Sequence, residues 1–269
     1  MYIGVVSKGM RVGKYKELLL NIALFALNTI STKLITFLLV PLYTYFLTAA
    51  QFGITDMSLT VLGLISPIVT LSVGDAVTRY VIDDSREKER YISVGFWVTV
   101  IGCVVMLVIL PILDLPLFGG LGDYKWYYMI YFITLNYNGY LGNVASGLDR
   151  IKLMAAASMA SSLVLAPSAS VFIGVLGWET EWYFVSLVLG GLTSICMYLL
   201  IGHFGRYVGV PKYRNDEKYI KRMLLYAIPL IPNSIFWWVG TGVNRFFITA
   251  MLGIGSSGFL LRRAKSRIF

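Results

Sequence analysis

Residues Tyr91–Leu113 read YISVGFWVTVIGCVVMLVILPIL, an apolar run without a single charged side chain. At about 1.5 Å of rise per residue, a helix of this length covers the roughly 30 Å hydrocarbon layer of a bilayer. A helix on the surface of a soluble protein would show a polar face, and this run shows none. Arg86, Lys88 and Arg90 stand before it, and Asp114 and Pro116 follow it. The run reads as a transmembrane helix, and the chain on either side repeats the pattern.

Six further segments qualify by the same test: Leu18–Leu47, Met57–Gly74, Trp126–Leu148, Leu153–Gly177, Trp182–Ile201 and Met223–Leu252. Composition agrees, with 57% hydrophobic and 14% charged residues and a mean hydropathy of +0.73. A soluble domain carries about 25% charged residues, so a soluble enzyme or secreted scaffold is excluded. The expected fold class is all-α, a polytopic membrane protein built as a helical bundle of six spans plus a seventh. The first and last segments are long and contain Pro41, and Pro229 with Pro232, which predicts tilted or broken helices. Cys103 and Cys196 lie inside apolar runs and are expected to be buried thiols, not a disulfide framework.

Basic residues set the orientation. Lys8, Arg11, Lys14 and Lys16 precede the first span, and Arg79, Arg86, Lys88 and Arg90 lie between the second and third. Arg150 and Lys152 follow the fourth, and Arg206, Lys212, Arg214, Lys218, Lys221 and Arg222 precede the seventh. The alternate connections hold only Lys125. The positive-inside rule places the amino terminus and the basic loops in the cytoplasm, in a multi-pass protein of the cytoplasmic (inner) membrane. It also accounts for the net charge of +9 without nucleic acid as a partner. The first apolar run is too long for a signal peptide, so it reads as a retained span.

Aligning Lys16 with Lys221 brings the first span onto the seventh without a gap, matching Asn28 to Asn233, Thr36 to Thr241 and Gly53 to Gly258. Parallel repeats of this kind relate the halves of some transporters. The division expected is a basic arm over 1–17, a six-helix lobe over 18–202, a basic linker over 203–222 and the first helix of an incomplete second lobe over 223–258. Residues 259–269 hold four basic residues where an outer loop should have few, an off-pattern tail. A frameshift or premature end is the preferred explanation, and a native cytoplasmic tail behind a re-entrant seventh segment is the alternative.

The stretch Leu39-Val40-Pro41-Leu42-Tyr43-Thr44-Tyr45-Phe46-Leu47-Thr48 with Gln51-Phe52-Gly53 resembles the Wzx-type polysaccharide flippases of the multidrug/oligosaccharidyl-lipid/polysaccharide exporter superfamily. So do Ser66-Pro67 with Arg79, and Tyr226-Ala227-Ile228-Pro229-Leu230-Ile231-Pro232-Asn233. The resemblance implies the amino-terminal lobe of a two-lobed, alternating-access transporter, truncated after its seventh span. Its cargo would be an oligosaccharide on a polyprenyl pyrophosphate, carried across for O-antigen, capsule or exopolysaccharide synthesis. Its partners would be the bilayer, the lipid-linked oligosaccharide, and the polysaccharide polymerase with its chain-length machinery.

Polar residues within spans are costly and mark cavities or partners. Asn28, Thr32, Lys33 and Thr36 fall within an arc of roughly 140° of the first helix. Asn233, Trp237, Asn244 and Arg245 share an arc of roughly 160° of the seventh, together with Trp238. With Arg79 at the end of the second span, these form the candidate substrate cavity. Lys33 and Arg245 would attract pyrophosphate, and Asn and Trp side chains would meet sugars. Asp75 and Arg79 read either as a helix-end ion pair or as a phosphate gate. Asn136, Tyr140, Asn143 and Gly147 share a face of the fourth span that serves sugars or helix packing. His203 is the only histidine, and the sequence calls for no enzyme, cofactor or metal. A cation-coupled multidrug exporter of the same fold is the alternative, opposed by Asp56, Asp75, Asp114 and Asp149 all lying at span ends. The topology predicts that reporters fused after Arg86 or Arg214 report cytoplasm and one fused after Lys125 reports the outer side. Paired alkaline phosphatase and fluorescent-protein fusions measure this, and an outer-side signal at Arg86 would overturn it.

Overall fold

The structure, a computed structural model, describes residues 39–118, 120–209 and 213–252, with isolated positions 22, 26, 33 and 37 before them. Every regular element among the described residues is helical. Helix α1 (39–46) closes the first segment and is followed within two residues by α2 (Ala49–Val69). Thr48 caps α2: its hydroxyl accepts from the Gln51 N–H at 3.3 Å, and the Gln51 side chain returns to the Thr48 N–H at 2.9 Å. That capping box starts the second helix well before Met57, where hydropathy alone put it. Asp56, expected at a span end, therefore lies inside α2 at 5% exposure.

Pro67 in the last turn of α2 has no N–H for the Gly63 carbonyl, and its ring crowds that carbonyl, which weakens the end of the helix. The chain breaks there, through Leu71 and Ser72 in the left-handed region at φ 53° and 49°. It resumes as α3 (Val73–Asp83). Helix α4 (Lys88–Ile109) follows and tightens into a 3-10 turn, Leu110–Asp114. Two further short turns lead to α5 (Lys125–Gly147), and Lys125 holds Asp114 at 2.8 Å across this connection. Helix α6 (Ile151–Ala169), widened into a π-turn over Ser170–Val175, pairs with α7 (Thr180–Leu200). The end of the chain is α8 (Tyr213–Ala227), a turn at Ile228 and Pro229, and α9 (Leu230–Leu252).

Five helical stretches among the described residues are long and apolar enough to cross a membrane: Ala49–Val69, Lys88–Asp114, Ile151–Val175, Thr180–Leu200 and Asp216–Gly240. The all-α membrane architecture is thus the observed one. Most of Leu18–Leu47 lies outside the described residues. The fourth expected span is helical over Lys125–Gly147 but is not among the five. Tyr127, Tyr128, Tyr131, Asn136, Tyr137, Asn138, Tyr140 and Asn143 lower its hydropathy.

Small residues let α7 lie close to its neighbours. Ser186, Gly190 and Ser194 are buried, and a Cβ on Gly190 would come within 3.0 Å of the Ser161 carbonyl. The Ser194 hydroxyl donates to the Ala157 carbonyl at 3.2 Å. On α6 the buried positions are Ala155, Ala157, Ser162 and Ala169. Cys103 is buried as expected, but Cys196 is exposed on α7. In a bilayer an apolar side chain need not turn inward, so hydrophobic sequence does not imply burial by protein.

The core divides in two. One cluster gathers Val77, Tyr80, Tyr91, Tyr140, Val144, Tyr198, Phe204, Tyr219 and Met223 at the end carrying the basic loops. The other gathers Met57, Leu62, Met106, Leu113, Tyr128, Phe132, Tyr183 and Phe184 at the opposite end. Residues 203–209 and 213–222 are tied into the first cluster. Gly209 accepts from the Ser93 hydroxyl at 2.5 Å and the Trp97 indole at 2.8 Å, and Tyr219 lies buried on α8.

Helix α4 meets the α2–α3 break at Gly102, where a Cβ would stand 2.6 Å from the Val69 carbonyl oxygen. Gly102→Val is therefore expected to destabilise the protein by about 1–3 kcal/mol through overpacking. Gly139→Ala, with nothing within 4 Å, should be neutral or stabilising. Thermal unfolding in detergent distinguishes them, and an unchanged Tm for Gly102→Val would refute this packing.

Candidate functional site

The seam between the two core clusters is where α2 breaks, and a cavity of about 420 Å³ opens there. Its wall takes Ser66 and Pro67 from α2, Thr70 and Ser72 from the break, and Val73, Gly74 and Asp75 from the first turn of α3. Thr99 of α4, Leu135, Asn136, Asn138, Gly139, Tyr140 and Asn143 of α5, and Ser234 of α9 complete it. The break creates this wall, because an unbroken helix would carry Ser72 and Asp75 past α5 in a different register.

The polar groups are held in place. The Asn136 amide donates to the Ser66 hydroxyl at 3.2 Å and to the Phe132 carbonyl at 2.8 Å. Gly74 lies directly against the Asn143 amide, a contact that a Cβ would prevent. Thr78 donates to the Asn143 carbonyl at 3.1 Å, fixing α3 against α5. The Tyr140 hydroxyl is spent on the Ile92 carbonyl. Asn136 and Asn143 thus serve the cavity, Tyr140 mainly joins α5 to α4, and Gly147 packs against Val81, 3.1 Å from where its Cβ would be.

One turn from Asp75, about 6 Å along α3, a second group begins. Arg79 lies over the Tyr226 ring at 4.5 Å, and Arg222 of α8 lies over Tyr80 at 4.8 Å. Arg222 also donates to the Tyr91 hydroxyl at 3.1 Å, and Tyr80, stacked on Tyr91 at 5.4 Å, donates back to the Arg222 carbonyl at 3.2 Å. Arg90 joins the group through Asp216 at 3.4 Å and Glu87 at 3.0 Å. Arg79 is paired with Asp83 at 3.6 Å, not with Asp75 as the spacing had allowed. Asp75 faces the cavity instead, because α3 begins only two residues before it. Both partners of the Arg79–Asp83 pair are half exposed, so it contributes about 1 kcal/mol or less. Tyrosine faces orient the guanidinium planes while the arginines stay exposed, a form that suits phosphate oxygens.

The other expected site residues are placed less closely. Lys33 is helical and exposed, whereas Asn28, Thr32 and Thr36 lie outside the described residues. Asn233 and Trp237 are exposed on α9, Trp237 at 76%, away from the cavity to which Ser234 contributes. The neighbouring Trp238 donates to the Thr60 carbonyl at 2.7 Å, and it packs on Gly63. The shared arc of α9 is therefore split, with Trp238 serving as an anchor to α2. Asn244 and Arg245 lie on α9 with side chains outside the described set. Ser66, Thr70, Ser72, Thr99 and Asn138 were not singled out as cavity residues from the sequence. Ser66-Pro67 followed by Thr70 and Ser72 was the available signal, a proline with hydroxyl residues inside an apolar run.

Comparisons with curated proteins and with solved structures each return no match. A family described as polysaccharide biosynthesis protein matches residues 18–266, nearly the whole chain. The chain, a multi-pass membrane protein with a polar cavity at a helix break, belongs to the polysaccharide biosynthesis protein family.

Proposed function

We propose that the chain is a flippase that carries oligosaccharide units linked to polyprenyl pyrophosphate from the cytoplasmic to the outer leaflet of the cell membrane, not an enzyme. The observation that carries this reading is the pairing of a cavity rich in hydroxyls and amides with two exposed, tyrosine-oriented arginines, Arg79 one helical turn along α3 and Arg222 of α8 over Tyr80. Such a cargo has the same two parts, a hydroxyl-rich glycan and a diphosphate. On this reading residues 18–202 form a six-helix lobe, 203–222 connect it, and 223–258 supply the first helix of a second lobe. The amino terminus is cytoplasmic, and the polymerase and chain-length machinery receive the product. Lys33, Arg79 and Arg245 attract the diphosphate; Asn28, Thr32, Thr36, Asn233, Trp237 and Asn244 line the path on the lobe-facing helices.

A second reading, a cation-coupled multidrug exporter of the same fold, gains from the burial of Asp56 inside α2. That chemistry uses an acidic residue within a lobe to bind a cation. Drug efflux from vesicles driven by a sodium or proton gradient would favour it over the flippase.

The flippase reading is tested by glycan export in cells lacking their own flippase, complemented with the full-length protein. Lys33→Ala should abolish export at normal expression. Arg79→Ala should lower it by about tenfold or more, the loss of a charge-assisted hydrogen bond, with partial rescue by Arg79→Lys. Wild-type export from both alanine variants would sink the proposed phosphate path.

A further inference from the structure

We infer that the cavity at the α2–α3 break is a glycan pocket selective for uncharged sugars, and that Asp75 is the residue that rejects acidic ones. This deepens the flippase reading and rests on it. The cavity volume of about 420 Å³ falls within the range of small-molecule sites, roughly 300–1,000 Å³. Its lining supplies the hydroxyls of Ser66, Thr70, Ser72, Thr99 and Ser234 and the amides of Asn136, Asn138 and Asn143. Among the described residues no lysine or arginine lines it. The Thr70, Thr99 and Ser234 hydroxyls donate to backbone carbonyls and turn lone pairs to a ligand, while the amides carry both donors and acceptors; the set matches the hydroxyls of a sugar and offers a phosphate no compensating charge.

Asp75 is the one carboxylate in that wall among the described residues. Ionised, it accepts hydrogen bonds from sugar hydroxyls through two oxygens. Toward a uronate or phosphate it is a like charge: Asp75 is exposed at the open side of the cavity, so the repulsion acts through a partly screened contact. The nearby arginines do not cancel it: Arg79 is held against Asp83 and Tyr226, a turn further along α3. The two halves of an amphiphilic cargo are therefore sorted along a single helix, the glycan beside Asp75 and the diphosphate beside Arg79.

The pocket is also organised before any ligand arrives. The bonds of Asn136 to Ser66 and Phe132, and the seat of Asn143 against Gly74, hold two of its amides in fixed orientations. Preorganised polar groups lower the ordering cost of binding, so free sugars without a lipid anchor should occupy the site.

The test uses the full-length protein with Cys103 and Cys196 replaced by alanine and a single Asn138→Cys reporter in the cavity wall. The rate of maleimide labelling is measured with a neutral disaccharide, with sodium glucuronate, and with sodium chloride at matched concentration. The neutral disaccharide should slow labelling, with an apparent affinity about tenfold or more above that of glucuronate, the scale of one moderately screened like-charge contact. Asp75→Asn should erase the difference by letting glucuronate protect. Saturation-transfer NMR of the same sugars on the wild-type protein keeps the test decisive if the cysteine variant folds poorly. Equal protection by glucuronate in the protein that retains Asp75 would overturn the selectivity. Protection by sodium chloride alone would make this a cation site, and protection by none would remove the pocket. Binding of a polyprenyl pyrophosphate without sugar, measured in parallel, tests the arginines alone and separates failure of the pocket from failure of the flippase reading.

Discussion

A backbone inside hydrocarbon must satisfy its own hydrogen bonds, because lipid offers none. At Thr70–Ser72 the chain leaves the helix inside the bundle, and its amides are still met. Thr70 donates to the Ser66 carbonyl, Leu71 to Ile68, Ser72 to Pro67 and Val73 to Thr70, at 3.0, 3.3, 3.1 and 3.1 Å. The Thr70 hydroxyl adds a bond to the Ser66 carbonyl at 2.7 Å. Two residues other than glycine occupy the left-handed region to make this possible, each at a cost of about 1–2 kcal/mol. The cavity, the direction of Asp75 and the register of Arg79 all follow from this closed set of bonds.

Close helix contacts hold the break. Gly102 brings α4 against the Val69 carbonyl, Gly74 admits the Asn143 amide, and Thr78 ties α3 to α5. Without a hydrophobic drive between helices in lipid, such contacts between small residues and hydrogen-bonded side chains supply the association. The two core clusters lie on either side of the seam, so the polar groups are gathered where neither cluster needs them. Trp238 then closes α9 on α2 through its bond to Thr60.

At the basic end the positive charges have a second use. The positive-inside rule treats Arg79, Arg90, Arg150 and Arg222 alike, as loop charge. In the fold they differ. Arg150 donates to the Gly202 carbonyl at 2.8 Å and lies over Phe204 at 5.7 Å, joining the start of α6 to the end of α7. Arg90 bridges α4 to α8 through Asp216. Arg79 and Arg222 lie over Tyr226 and Tyr80, across the contact of α3 with α8, and remain exposed, with Arg79 one turn from Asp75 of the cavity wall. Each cation–π contact contributes about 0.5–1 kcal/mol at such a site, and together they hold α8 on α3.

By itself the sequence determined that this is an all-helical membrane protein. Unbroken apolar length and the placement of Lys and Arg are one-dimensional quantities, and the bilayer selects on them directly. Family membership was legible for a related reason, since motifs such as Ser66-Pro67 and Tyr226–Asn233 are local strings. The start of α2 was misplaced because a capping box, not hydropathy, begins that helix, and so the buried Asp56 was read as terminal. The likeness of Asn233, Trp237 and Trp238 on a helical wheel could not show which of them meets α2. Only the tertiary structure decided that Asp75 faces a cavity while Arg79 turns to Asp83 and Tyr226. Those directions depend on where a helix restarts after a break, and residues far away in the chain, Asn143, Gly102 and Tyr226, set that point.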